Sequence, residues 1–239
     1  MLSNKPITVN FFPEKGLYAV NDNGATHFFG DLNRGKKLYS KGLAFRAKRL
    51  FQSYGLGQIK FDKTDVVIDC GANYADLWLT LRHKISPQNY ITFEPGETEY
   101  AAIKMNAPNG IHNNIGLADK SGNAKFYLNE AGADSSIVMP AKFTKEVNIQ
   151  TIWLSEYLMC NPISKIKLFK LEAEGFEPEI LKGAMPILDK IEYIAIDGGY
   201  ERGIKKEETF SHLTNVLASH GYKMQTIIFE WGRALFRRK

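Results

Sequence analysis

Cysteine is scarce in this chain: Cys70 and Cys160 are the only two among 239 residues. That number supports neither a disulfide framework nor a thiolate zinc site, and it makes a reducing cytoplasm the expected compartment. Long apolar runs are lacking as well. No segment reaches the roughly 18 apolar residues a membrane helix requires, and the stretch up to Asp31 has no apolar core of the signal-peptide kind. The five histidines, His27, His83, His112, His212 and His220, show no ligand spacing, so no metal role is assigned to them. There is no internal repeat, no low-complexity linker and no G-x-G-x-x-G, which removes the dinucleotide fingerprint.

What is present has the balance of a globular protein, 44% hydrophobic and 24% charged, in a length that suits one ordinary domain with a small extension. The formal charge of +5 favours an anionic cofactor, a sugar nucleotide or nucleic acid without choosing among them. The tail Phe236-Arg237-Arg238-Lys239 is basic enough to touch a membrane or an acidic partner, though such a run is more often a plain tail.

The most informative stretch runs from Asp65 to Leu81. Val66, Val67 and Ile68 form a β-branched run suited to a strand buried on both faces, and the run ends at Asp69. Gly71 allows a tight turn, after which Leu77, Trp78, Leu79 and Leu81 have the spacing of a buried helix. A small-residue loop between a parallel strand and a helix is where an α/β sheet binds anions and nucleotides, although an ordinary turn has the same pattern. Tyr90 to Phe93 reads as the next strand and ends in Glu94. That acid lies about 20 residues beyond the loop, the separation expected of a carboxylate that accepts both ribose hydroxyls. The competing reading is a Glu capping the helix expected over Thr98 to Met105.

Either side of this unit the pattern is clear in outline. Ile7–Phe12 and Gly16–Val20 read as strands of an N-terminal cover, and Lys36 to Tyr54 as one basic amphipathic helix. Residues 1–60 are therefore expected to form an extension covering the site, and 61–239 the main domain. Ile111–Leu117 reads as a third strand. Further strands are expected over Ala124–Leu128, Val147–Ile152, Ile166–Leu171, Ile191–Ile196, Tyr222–Phe229 and Ala234–Phe236. Helices are expected over Ser155–Met159, Pro178–Gly183 and Glu207–His220. Strand and helix alternate, which predicts an α/β fold: a mainly parallel sheet with helices on both faces and an antiparallel C-terminal hairpin. Lys170, Glu172, Glu174 and Glu177 crowd charge at one strand end, so this segment lines a wet cleft or pairs internally.

Three segments together, Asp69-Cys70-Gly71-Ala72-Asn73, Phe93-Glu94-Pro95 and Lys170-Leu171-Glu172-Ala173-Glu174-Gly175-Phe176-Glu177, resemble the FkbM family of S-adenosylmethionine-dependent methyltransferases. Gly132 to Ser136, Ile180 to Ala184 and Ala234 to Arg237 support the match, which covers roughly residues 36 to 239. The resemblance implies a class I methyltransferase, Rossmann-like fold: a seven-stranded sheet with its last strand antiparallel. It also implies O-methylation of a sugar or polyketide-type small molecule. On matching positions it implies that Asp69, Gly71, Ala72 and Asn73 hold the methionine part of the cofactor. Glu94, with Pro95, would bind the ribose, Gly116 to Asp119 would line the adenine, and Ser135 and Ser136 would lie near the methionine carboxylate or the acceptor. Glu172, Glu174 and Glu177 would stand near the reacting methyl. The chain departs from the family at Ala75, where a second small residue or Gly is usual, and at Glu172, where Asp is usual.

The chemistry expected is an in-line displacement in which a base removes the proton of a poorly nucleophilic hydroxyl. Glu172 or Glu174 is the candidate base, Lys170 its tuning group and Asp197 the group orienting the acceptor. The alternative is that Asp197 and Glu172 hold a divalent cation. Two other functions compete: a Rossmann-like nucleotide-binding protein without methyl transfer, and a methyltransferase of nucleic acid or protein. Base-modifying enzymes carry an Asn/Asp-Pro-Pro-aromatic motif where this chain has Leu171-Glu172-Ala173-Glu174, which disfavours nucleic acid.

Overall fold

A computed structural model describes residues 7–129 and 135–239. Gly132, Ala133 and Asp134 of the supporting loop lie outside the described residues. The chain opens with an antiparallel sheet of β1 (Thr8–Phe12), β2 (Leu17–Asp22) and β3 (Ala25–Phe29), followed by α1 (Leu32–Tyr39) and α2 (Leu43–Ser53). The single helix expected over Lys36 to Tyr54 is thus two. Gly42, at φ +90°, breaks it, and the Asp22 carboxylate accepts the Leu43 N–H at 2.7 Å, satisfying a donor the new helix start leaves open.

The central unit is β4 (Val67–Cys70), the one-turn α3 (Trp78–Leu81), β5 (Tyr90–Phe93) and α4 (Glu97–Asn106). Next come β6 (Ile111–Asn113), β7 (Gly116–Ala118), β8 (Gly122–Leu128), β9 (Lys145–Trp153) and α5 (Leu154–Cys160). The chain continues through β10 (Ile166–Leu171), α6 (Glu177–Ala184), β11 (Ile191–Asp197), β12 (Tyr200–Arg202) and β13 (Glu207–Glu208). It closes with α7 (Phe210–Ser219), β14 (Tyr222–Ile228) and β15 (Arg233–Arg238).

Seven strands form the main sheet in the order β14-β15-β11-β10-β4-β5-β6. From β6 to β11 every pair is parallel, and only β15 runs against its neighbours, inserted between β11 and β14. The expected mainly parallel sheet with an antiparallel last strand is therefore the observed one. Side-chain alternation builds a core on each face: Val67, Leu168, Tyr193 and Ala195 pack with α2 and α3, while Ile68, Phe169, Ile194 and Ile196 pack with α5, α6 and α7. Each fully buried Val, Leu or Ile contributes about 1.5–3 kcal/mol. The strand expected over Ile111–Leu117 divides, with β6 at the edge of the main sheet and β7 pairing with β9 in a separate three-stranded sheet with β8. The helix after Gly71 is also shorter than its apolar spacing predicts. Asn73 and Ala75 sit at φ +51° and +58°, and left-handed residues cannot belong to a right-handed helix, so α3 starts only at Trp78.

The N-terminal unit packs through a third core, in which Leu17, Val20, Phe29, Tyr39 and Leu43 meet Tyr74, Leu79 and Ala102. It is seated beside the loop that follows β4.

Candidate active site

A cavity opens at the carboxyl ends of β4, β5 and β10. This is where a parallel α/β sheet leaves room for a ligand. Gly71 makes its floor: at φ +66°, with a Cβ position only 1.9 Å from the Glu172 carbonyl oxygen, it admits no side chain. Asp69, Ala72, Asn73, Glu94, Pro95, Gly116, Ser135, Lys170, Glu172 and Glu174 also line the cavity, so most of the sequence-derived residues are brought together.

Glu94 faces it from the β5 side. Asn73 N–H donates to Oε2 at 2.9 Å and Gly96 N–H donates to Oε1 at 3.0 Å, joining the two loops through one buried side chain. Burial, and then the neighbouring Glu99, push its pKa up to about 7. The capping alternative is not realised: Glu94 takes the N–H of Gly96, ahead of α4, and no side chain caps the start of that helix.

Lys170 organises the opposite wall. Its ammonium donates to Gly71 O at 2.7 Å, lies 2.7 Å from Glu172 Oε2 and 3.0 Å from Asp69 Oδ1, and reaches Cys70 O at 3.2 Å. Three protons cannot serve four acceptors. Asp69 Oδ1 is left in Coulomb contact without a well-formed hydrogen bond, while Tyr90 OH donates to Asp69 Oδ2. Glu172 is spent on cations: Arg233 donates to Oε1 at 2.8 Å while Lys170 holds Oε2. Burial opposes its ionisation, but Lys170 and Arg233 outweigh burial and hold its carboxyl well below the usual range.

Four of the sequence-derived assignments move. Asp197 does not reach the cavity: Arg233 Nε donates to its Oδ2 at 2.6 Å, and burial, then Glu172, raise its pKa to about 6. Arg233 thus stands between Asp197 and Glu172, where the alternative puts a divalent cation. Glu177 is buried at the start of α6, accepting the Ala173 N–H at 2.7 Å and the Gly175 N–H at 3.2 Å, so it shapes the loop instead of facing a methyl group. Asp119 points away to Lys182 at 2.9 Å. Ser136 donates to Glu174 O at 2.9 Å, fixing the loop from behind the cavity wall. Glu174 itself stands on the wall at φ +51°.

Sequence reasoning expected residues 1–60 to cover the site but singled out none of the residues that do so. Arg34, Arg46 and Leu50 line the cavity together with Asp76. Asp76 is buried at the meeting point: Arg46 Nε donates at 2.6 Å, Tyr39 OH at 2.7 Å, and His27 Nε2 lies 2.8 Å away. Burial raises its pKa, but Arg46, His27 and Tyr39 prevail and hold it far below the ordinary range. The available signal was an acid in an otherwise apolar run, Ala75-Asp76-Leu77-Trp78. For Arg233 it was the need for a cation near the strand-end carboxylates.

The sequence model of the methyltransferase FkbM domain matches residues 69–224, the span from the β4 end to β14. The chain belongs to the FkbM methyltransferase family. Members of this family are S-adenosylmethionine-dependent methyltransferases. A crystal structure of methyltransferase FkbM from Methylobacillus flagellatus shares the fold at 16% identity with a TM-score of 0.51, over 76% of this chain and 45% of that one. The FkbM chain thus spans under half the length of that relative. Aeropyrum pernix fibrillarin, a structure with natively bound S-adenosyl-L-methionine, aligns over 98% of both chains at 12% identity and a TM-score of 0.49. No curated protein matches in sequence.

The donor set suits this cofactor. Asp69 Oδ1 is a buried carboxylate oxygen with acceptor capacity to spare for an ammonium group. Glu94 retains lone pairs beyond the two it gives to N–H donors, enough for a diol. Leu117, Phe126 and Ile137 supply an apolar wall for a flat base. Among the described residues no helix is long and apolar enough to cross a membrane, and no group of His, Cys, Asp and Glu is arranged to hold a metal ion.

Proposed function

We propose that this methyltransferase O-methylates a hydroxyl of a sugar, glycan or related small molecule, with Glu174 as the base. S-adenosylmethionine supplies an electrophilic methyl group on a sulfonium. Asp69, Gly71, Ala72 and Asn73 would hold its methionine end, Glu94 and Pro95 the ribose, and Gly116 with Leu117 the base. Residues 1–60 act as a cover for the domain formed by 61–239, a division supported by Arg34, Arg46 and Leu50 on the cavity wall.

The observation that carries the assignment of the base is the backbone of Glu174. A non-glycine residue at φ +51° costs of order 1–3 kcal/mol, and here that conformation sets the residue on the wall shared with Glu94 and Gly71. Glu172 is a poor rival. A carboxylate held strongly ionised by two cations has little affinity for a proton, and general-base efficiency falls with basicity. Lys170 and Arg233 therefore act through Glu172 as positioning groups.

Glycans from a strain lacking the protein, analysed by mass spectrometry, should lose one methyl increment. Restoring the wild-type gene should return it, while E174Q should leave turnover about 10²–10⁴ lower with binding of S-adenosylhomocysteine unchanged. Full restoration by E174Q would remove the base. An unchanged glycan profile together with a lost methyl mark on nucleic acid or protein would remove the acceptor class.

A further inference from the structure

We infer that the exposed face of α1 and α2 docks the enzyme on an anionic lipid surface. From Leu32 to Phe61 the chain carries eight Lys and Arg and no Asp or Glu, leaving 23 cations against 26 carboxylates elsewhere. The local excess is the chain's positive charge, and seven of the eight cations lie on α1, α2 and the turn between them. The exposed positions form a single stripe: Asn33, Lys36, Lys37, Ser40 and Lys41 along α1 and its end, then Ala44, Phe45, Lys48, Arg49 and Gln52 along α2. Steps of one and three residues keep them on one side of each helix. Among the described residues no carboxylate pairs with Lys36, Lys37, Lys41, Lys48 or Arg49, whereas Arg46, on the inner side, is held by Asp76.

Apolar side chains are interleaved with these charges. Phe45 is 42% exposed, with the Lys41 ammonium 5.0 Å from its ring centre. Arg49 lies 5.6 Å from the centre of the Trp231 ring, and Trp231 closes the short turn that also carries Phe229, 83% exposed. Clustered cations with protruding aromatics on one amphipathic face are the chemistry of binding at a lipid headgroup boundary. Apolar rings enter there and long basic side chains reach the phosphates.

Two observations favour lipid over single-stranded nucleic acid, the other polyanion such a face could take. Nucleic-acid grooves leave ring faces open for bases, but here a cation already covers one face of Phe45 and of Trp231. Four of the five exposed cations are lysines, which act as point charges, and the one arginine lies over a ring, whereas bidentate reading of bases and stacking on them favour the arginine fork. The opposite side of α2 supplies Arg46 and Leu50 to the cavity, so a docked enzyme would hold its active site close to the headgroups.

Sedimentation with vesicles of phosphatidylcholine containing phosphatidylglycerol, against pure phosphatidylcholine, tests this directly. The full chain should sediment with the anionic vesicles only, less so as salt rises. The triple variant K41Q/K48Q/R49Q should bind roughly a hundredfold more weakly, with S-adenosylhomocysteine binding unchanged, since none of the three lines the cavity. F229S should weaken binding in a way that added salt does not mimic. Equal sedimentation with both vesicle types, undiminished binding by the triple variant, or tighter binding to single-stranded RNA than to anionic vesicles would each overturn the inference. All of these readouts are independent of whether a sugar is the acceptor.

Discussion

The two walls of the cavity handle charge in opposite ways. On the β5 side, Glu94 is held by backbone N–H groups alone, which keep it in place and leave its charge uncompensated. On the β10 side, Glu172 is tied to Lys170 and Arg233, the latter also holding Asp197 behind the wall, and under the N-terminal unit Asp76 is tied to Arg46, His27 and Tyr39. A carboxylate whose charge is answered from within is scaffold. One held by dipoles and left half-answered is where a ligand gains most by arriving.

The sharpest break of this contrast is on the scaffold side. Arg233→Met would leave Glu172 with one cation and Asp197 with none. Removing one partner of a buried ion pair costs about 3–5 kcal/mol, because the remaining charge stays desolvated. Urea unfolding should show a loss of that size, and a loss under about 1 kcal/mol would mean the Arg233 network is merely superficial.

On the other wall the effect should be in binding. Glu94→Gln keeps the size of the side chain but removes the charge that a diol would meet. Hydrogen bonds to charged groups contribute about 1.5–3 kcal/mol, so S-adenosylhomocysteine should bind about 10- to 150-fold more weakly by calorimetry. The same residue gives the contrast a pH signature. Its folded pKa is raised from 4.5 to about 7, so the folded protein binds more protons than the unfolded chain in that window, and Glu94 costs stability as pH rises through it. A ligand donating hydrogen bonds to the carboxylate favours its ionised form. Affinity should therefore fall as pH drops below about 7, by at most tenfold per pH unit, and the dependence should flatten in Glu94→Gln. A flat profile in the wild type would detach Glu94 from the ligand.

The division between the walls also marks what was legible in the sequence. Strands β4, β5, β10 and β11 follow from short apolar runs, and the loop after Asp69 and Glu94 follow from spacing, because these features are local. The partners were not local. Arg233 lies 61 residues beyond Glu172, and Arg46 comes 30 residues before Asp76, so only the tertiary fold brings each pair together. The same reason hid the division of 111–118, where β7 leaves the main sheet to pair with β9. Gly42 was readable in principle as a helix stop, but the basic amphipathic pattern continues through it and masks the break.

The finest test concerns Ala75. At φ +58° an alanine pays about 1–2 kcal/mol for the left-handed conformation, which glycine would not pay. Ala75 is also fully buried in the core beside α3, and deleting its methyl group forfeits about 0.8 kcal/mol. Glycine further loosens the unfolded chain, at about 0.4–1 kcal/mol. Gain and losses are of equal size, so Ala75→Gly should leave the urea midpoint within about 0.5 kcal/mol of the wild type. A stabilisation above about 1 kcal/mol would mean that the loop is strained more than its packing repays; an equal loss would mean that the buried methyl group is what seats the N-terminal wall against the cofactor loop.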